Sequence, residues 1–63
     1  MMKIETSIKV LEKERNWLGI SMSELLKDIE KNGKMVYSEK VVEAFQIYRL
    51  VMFNGTKVSE VFK

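Results

Sequence analysis

The chain has few side chains that could act as catalysts. It contains no His and no Cys, and Asp28 is its only Asp. His is the usual base near neutral pH, Cys is a reactive nucleophile, and the two supply most zinc sites. Gly55-Thr56-Lys57 lacks the spacing of a phosphate-binding Walker motif. The sequence therefore predicts a protein that is not an enzyme and that holds no metal and no cofactor.

Four residues near the middle of the chain have the chemistry to contact nucleic acid: Lys34, Tyr37, Ser38 and Lys40. They lie where a helix is expected to begin. Helix N-termini and basic side chains bind phosphates, and hydroxyl groups contact the backbone or base edges of DNA. The alternative is a solvated loop that carries ordinary surface lysines.

Three glycines divide the chain into the elements that would position these residues. Gly19, Gly33 and Gly55 each close an apolar segment shortly before a Ser or Thr. Glycine commonly follows a helix end, and Ser or Thr commonly caps the next start. The pattern predicts an all-α fold of one domain, 1–63. Its compact three-helix arrangement has helices at about 7–18, 21–32 and 38–54, followed by a short C-terminal helical turn.

Two segments admit a second interpretation. The strand-favouring residues Ile4, Thr6, Ile8 and Val10 alternate with more polar ones, so residues 1–6 are either helix or strand. Asn54-Gly55 is a strong hairpin-turn signal, and a hairpin over residues 49–62 would make the fold a winged helix-turn-helix. A terminal helical turn fits the spacing of the apolar residues after Gly55 better, because they recur at three- and four-residue intervals.

The predicted third helix is apolar around most of its circumference. Ten of the fourteen residues from Lys40 to Phe53 are apolar, and such a helix must be covered nearly all round. The cover is the C-terminal tail, a second subunit or another protein. The candidate interaction residues on this helix are Phe45, Tyr48, Val51 and Met52. Trp17 is likewise expected in the core or at an interface.

Length and charge narrow the class of protein further. With 63 residues and a net charge of +2, the chain is a single small domain for which DNA binding is permitted but not required. No segment has the length and composition of a membrane span or a signal peptide, so a soluble cytoplasmic protein without membrane contact is expected.

The segment Leu11–Ile29 resembles the opening of lambda-repressor-like (XRE) helix-turn-helix proteins. The matching positions are Leu11, Arg15, Gly19, Ile20, Ser21 and Glu24-Leu25-Leu26. The resemblance implies a DNA-binding fold in which Arg15 pairs with a later acidic residue, Glu30 or Glu43 here. Glu30–Tyr37 is longer than the family's turn, and the following helix is more apolar than its recognition helix.

A weaker resemblance is to ribbon-helix-helix repressors. The run from Gly19 to Leu25 is similar to the link into their second helix, and Met2–Ile8 would supply the N-terminal strand of a dimeric ribbon.

Two functions are therefore predicted. The first is a small transcriptional regulator of helix-turn-helix type that binds double-stranded DNA as a homodimer. The alternative is a non-enzymatic protein-interaction module, such as an antirepressor or inhibitor, that binds a partner through its apolar third helix.

Overall fold

The computed structural model describes residues 2–61 and contains four helices. These are α1 (Ile4–Leu18), α2 (Met22–Val36), α3 (Glu39–Met52) and α4 (Val58–Val61). No strand occurs among the described residues. The predicted all-α fold, with three main helices and a short terminal one, is confirmed.

The predicted caps form at the starts of α2 and α3. The Oγ of Ser21 accepts a hydrogen bond from the N–H of Glu24 at 3.2 Å, and the Oγ of Ser38 accepts one from the N–H of Val41 at 3.4 Å. Each bond satisfies a donor that the helix itself leaves unpaired. Gly19 ends α1 in the left-handed conformation at φ 69°.

The strand interpretation of the N-terminal residues is wrong. Helix α1 begins at Ile4, and its first turn is closed by a 2.9 Å bond from the N–H of Ser7 to the carbonyl of Lys3. Ser7 is completely buried, and its hydroxyl donates to the carbonyl of Ala44 in α3. Packing against α3 therefore holds this segment in a helix, and residues 4–8 form no strand.

The hairpin over residues 49–62 is also wrong within the described part, which ends at residue 61. Helix α3 continues to Met52 and α4 follows after a short turn. Asn54 (φ 51°) and Gly55 (φ 83°) do adopt positive φ, as a tight turn requires. The turn joins two helices because neither flank has the polar–apolar alternation of a half-buried strand.

The second helix is interrupted at Gly33, where the sequence predicts its end, but it does not stop there. It continues to Val36 through a kink at Gly33, whose φ of 29° and ψ of −109° are not helical. Only glycine adopts such a conformation without a large strain. The kink turns the end of α2 so that Tyr37 enters the core while Val36 remains 65% exposed.

The core is a single cluster to which all four helices contribute. Its hydrophobic members are Leu11, Leu25, Leu26, Ile29, Tyr37, Val41, Val42, Ala44, Phe45 and Val58. Ser7 and Ala44, both small, lie where α1 meets α3, which is the most extensive helix pair in the fold. Small residues at that point allow the two backbones to approach closely.

Helix α4 is attached to α2 through a carboxylate. Oε2 of Glu30 accepts a hydrogen bond of 2.6 Å from the N–H of Val58. Burial opposes ionisation of Glu30, but hydrogen bonds from Val58 and Ser59 and the positive charge of Lys57 outweigh it and lower the pKa of the carboxyl. The carboxylate of Glu30 therefore caps α4. The resemblance to lambda-repressor-like proteins makes Glu30 a candidate partner of Arg15, but the carboxylate is used in the contact with α4.

Candidate interaction surface

The structure divides the four residues predicted to contact DNA between two grooves, one lined by Lys34 and Tyr37 and the other by Ser38 and Lys40. Tyr37 is only 8% exposed and belongs to the core. Ser38 uses its hydroxyl to cap α3. Lys34 and Lys40 are both exposed, but they border different grooves. The four residues therefore do not form one continuous basic surface.

The surroundings of the two lysines differ in charge. Lys34 shares a groove with Glu39 and Glu43, so two carboxylates flank one ammonium group. Lys40 borders a groove with Lys13 and Trp17. The exposed start of α3, where a recognition helix would present donors to DNA, thus carries two acidic residues and one basic residue. Carboxylates at that position repel phosphate.

Tyr37 is held by a polar cluster at the end of α2. Its hydroxyl donates to Oδ2 of Asp28, and Nδ2 of Asn32 donates to Oδ1 of the same carboxylate at 2.8 Å. Burial, together with the hydrogen bond to Asp28 and the negative charges of Asp28 and Glu14, raises the pKa of Tyr37 to about 12. The cluster joins the kinked end of α2 to the middle of the helix, and the phenol proton is used in the hydrogen bond to Asp28.

A large apolar group on the surface is the indole of Trp17. It is 84% exposed and borders two grooves, one on each side. The larger groove, of about 800 Å³, is lined by the apolar side chains Trp17, Leu18, Ile20 and Val36. We call it the Trp17 groove. A nearly free indole beside other apolar groups is typical of a binding surface, because Trp is strongly enriched at the centre of protein interfaces.

A row of charges on α2 forms the opposite wall of the Trp17 groove. Glu24, Lys27, Asp28 and Lys31 line it, and their spacing of three, four and seven residues places them on one helix face. That face is opposite the buried side of α2, which carries Leu25, Leu26 and Ile29. The groove thus combines apolar groups with a row of alternating charges.

The predicted interaction residues of α3 divide into buried and exposed members. Phe45 is 6% exposed and is part of the core. Tyr48 is half-buried and makes an edge-to-face contact with Phe53, with ring centroids 5.6 Å apart. Val51 and Met52 are more than half exposed, as is Leu50. The first part of α3 therefore builds the core, and its last turn is left uncovered in the single chain.

Sequence reasoning does not single out the Trp17 groove. It expects Trp17 in the core or at an interface, and the structure places the indole outside the core. Helical spacing does not distinguish position 17, because Val10, seven residues earlier and on nearly the same side of α1, packs against the core. Val36 gives no signal, since its position depends on the kink at Gly33.

No protein-family model, curated protein or solved structure matches this chain. The resemblances to the two repressor families stay predictions. Among residues 2–61 no helix has the length and apolar character to cross a membrane. The same residues contain no group of three or more acidic side chains placed to bind a metal ion.

Proposed function

We propose that this chain is a non-enzymatic protein-interaction module that binds a protein partner through the Trp17 groove. The observation that supports this function is the 84% exposure of Trp17 beside Leu18, Ile20 and Val36. A free indole exposes roughly 200 Å² of mostly apolar surface. Covering such an anchor contributes on the order of 2–4 kcal/mol to binding.

The charges favour a protein over DNA as the partner. Lysines and carboxylates alternate along the wall of the Trp17 groove, whereas a phosphate-binding surface needs a continuous excess of positive charge. Around Lys34 the acidic side chains outnumber the basic one. A surface of mixed charge around an apolar centre is the usual composition of a protein interface.

Site-specific photo-crosslinking tests this function. A photoreactive phenylalanine analogue replaces Trp17 in one variant and Glu12, an exposed residue of α1, in a control variant. We expect irradiation in the cells that make the protein to give discrete protein adducts from position 17 only. Unlabelled protein should compete for these adducts, and the Trp17→Ala variant should not. Equal adducts from both positions, or none from position 17, would contradict the proposal.

A second arm tests the DNA-binding regulator predicted from the sequence. Amide NMR spectra are recorded with a DNA duplex at low and at physiological salt. If shifts appear at residues 34–40 and fade as salt rises, as counterion release requires, and the Lys34→Ala, Lys40→Ala double variant loses them, DNA is the partner and the proposal fails. Absence of shifts at low salt is the result that we expect.

A further inference from the structure

We infer that the partner in the Trp17 groove is a second copy of this chain, and that the two copies pair their α2 helices antiparallel about a two-fold axis. The inference rests on the proposed function and identifies its partner. It follows from the order of charges on α2, the apolar groups at both ends of that helix, and the size of the exposed patch.

The charge order on α2 is self-complementary in the antiparallel orientation. Along the groove wall it is Glu24, Lys27, Asp28, Lys31, which is negative, positive, negative, positive. A two-fold axis that passes between Lys27 and Asp28 places Glu24 of each copy opposite Lys31 of the other. The same axis places each Lys27 opposite the other Asp28. A parallel arrangement in register would place like charges together.

Within one chain the charges of these four residues compensate each other only in part. Residues three and four apart on a helix are neighbours. The pairs three apart, Glu24–Lys27 and Asp28–Lys31, have opposite charge, whereas the pairs four apart, Glu24–Asp28 and Lys27–Lys31, have like charge. Antiparallel pairing gives every one of these residues a further opposite charge across the axis. Asp28 can take part because a carboxylate accepts more hydrogen bonds than the two it receives from within the chain.

Apolar groups lie at both ends of the charge row. Ile20 precedes the start of α2, and Val36 is its last residue; both line the groove. Antiparallel pairing brings the Ile20 end of each copy near the Val36 end of the other, where Ile20 is half-buried against the core and Val36 is 65% exposed. Trp17 and Leu18 stand beside this contact, so each indole covers the other copy's groove. Reciprocal contacts of this kind are what a two-fold interface requires.

The surface is large enough for such a pair. Typical interfaces bury about 800 Å² on each partner, which is about a sixth of the 4617 Å² that the chain exposes. Trp17, Leu18 and Val36 are 84%, 43% and 65% exposed, and together they present on the order of 350 Å² of mostly apolar surface. The largest apolar patch of a monomer is typically about 300–600 Å² and is often functional. The charged row supplies the remaining, polar part.

A charge-exchange experiment on the whole chain tests the inference. In a dimer of the Glu24→Lys variant, both of the 24–31 pairs across the axis consist of two lysines. In a dimer of the Lys31→Glu variant, both of these pairs consist of two glutamates. We expect each single variant to self-associate at least about tenfold more weakly than the natural chain, because each reversal converts two attractive pairs into repulsive ones. An equimolar mixture of the two variants should form a heterodimer, since every pair is then of opposite sign.

The measurements are sedimentation velocity over a wide range of concentration and the emission of Trp17, which is the chain's only Trp. We expect the emission to move to shorter wavelength as the dimer forms and water leaves the indole. Glu12→Lys and Lys9→Glu, at exposed positions of α1, are the matched controls and should dimerise like the natural chain. Circular dichroism melting checks that every variant is folded.

The outcomes separate this inference from the proposed function. If the natural chain stays a monomer at all concentrations while position 17 forms adducts with another protein, the self-association is overturned and the interaction module stands. If a dimer forms but neither the charge variants nor Trp17→Ala weakens it, the α2 pairing is overturned. If the chain stays a monomer and position 17 also forms no adducts, both proposals fall. Rescue by mixing the two single variants would establish the antiparallel pairing.

Discussion

The phenol of Tyr37 should make the stability of this domain depend on alkaline pH. Its pKa is raised from 10.0 to about 12 in the folded chain, so the folded state holds the proton more tightly than the unfolded state does. Below about pH 10 both states are protonated, and the contribution of Tyr37 to stability is complete. Between these two pKa values the unfolded state loses its proton first, and the contribution declines. Above the folded-state pKa the contribution of Tyr37 to stability is lost.

The size of the effect follows from the shift in pKa and from the hydrogen bond. One pKa unit corresponds to about 1.4 kcal/mol, so two units set an upper limit of about 3 kcal/mol. Tyr37→Phe removes the hydroxyl that donates to Asp28, and a hydrogen bond to a charged group contributes about 1.5–3 kcal/mol. We therefore expect Tyr37→Phe to lower the free energy of unfolding by about 2 kcal/mol at neutral pH. For a domain of this size that is a fall in Tm of roughly 10 °C.

The assay is urea unfolding, followed by circular dichroism at a series of pH values from neutral to strongly alkaline. Lysines titrate over the same range, so the quantity to follow is the difference between the natural chain and Tyr37→Phe. That difference should be constant up to about pH 10 and then shrink towards zero. Tyr48→Phe, at the other tyrosine, keeps the Asp28 contact and is the control. A difference that does not change with pH would refute the reasoning, and so would a Tyr37→Phe variant as stable as the natural chain.

Three further changes test the contacts that hold the helices together. Glu30→Gln should weaken the attachment of α4 by about 1 kcal/mol at neutral pH, and hydrogen exchange at the N–H of Val58 should accelerate. Because the pKa of Glu30 is lowered in the folded chain, the natural chain should lose this stability as the pH falls through that pKa. The stability of the variant should not change over the same pH range for this reason. Ser7→Ala should cost about 1 kcal/mol, but Ser7→Leu should cost several times more because it forces a large side chain between α1 and α3; equal melting temperatures for the two would contradict the close approach of these helices. Gly33→Ala meets no atom within 4 Å at its new Cβ, so its expected loss of about 1–3 kcal/mol comes from backbone strain alone and should exceed that of Gly19→Ala, whose left-handed conformation other residues reach more easily.

The helices that begin at local signals could be predicted from the sequence. Ser21 and Ser38 each accept a bond from a backbone N–H only three residues away, so the residues that start α2 and α3 are close together in the sequence. The end of α2 depends on contacts between more widely separated residues. Gly33 has the form of a terminator, but the helix continues to Val36 through a conformation that the Tyr37–Asp28 contact holds in place.

The candidate site was harder to predict, because it depends on which apolar residues the core leaves uncovered. The sequence indicates that α3 has more apolar surface than two neighbouring helices cover, and the exposed Leu50, Val51 and Met52 agree with that. It does not indicate that Trp17 and Val36 lie beside the same groove. Their position beside one groove is set by the kink in α2 and by the packing of α1 against α3, and the second of these joins residues far apart in the sequence, such as Ser7 and Ala44.

The charges and the apolar groups of the Trp17 groove have different tasks in the proposed pairing. Exposed ion pairs contribute only about 0.2–1 kcal/mol each, so the row on α2 selects the antiparallel orientation more than it supplies affinity. The affinity must come from covering Trp17, Leu18 and Val36, which are exposed in the single chain.

Asp28 connects these two tasks, because one carboxylate serves both the core and the groove. It accepts hydrogen bonds from Tyr37 and Asn32 inside the chain, and it lies in the wall of the groove. A side chain already held by two bonds loses little further conformational entropy when a partner binds. The same bonds fix the kinked end of α2, whose last residue is Val36. The hydrogen bond between Tyr37 and Asp28 therefore positions both the carboxylate of Asp28 and the side chain of Val36 in the unbound chain.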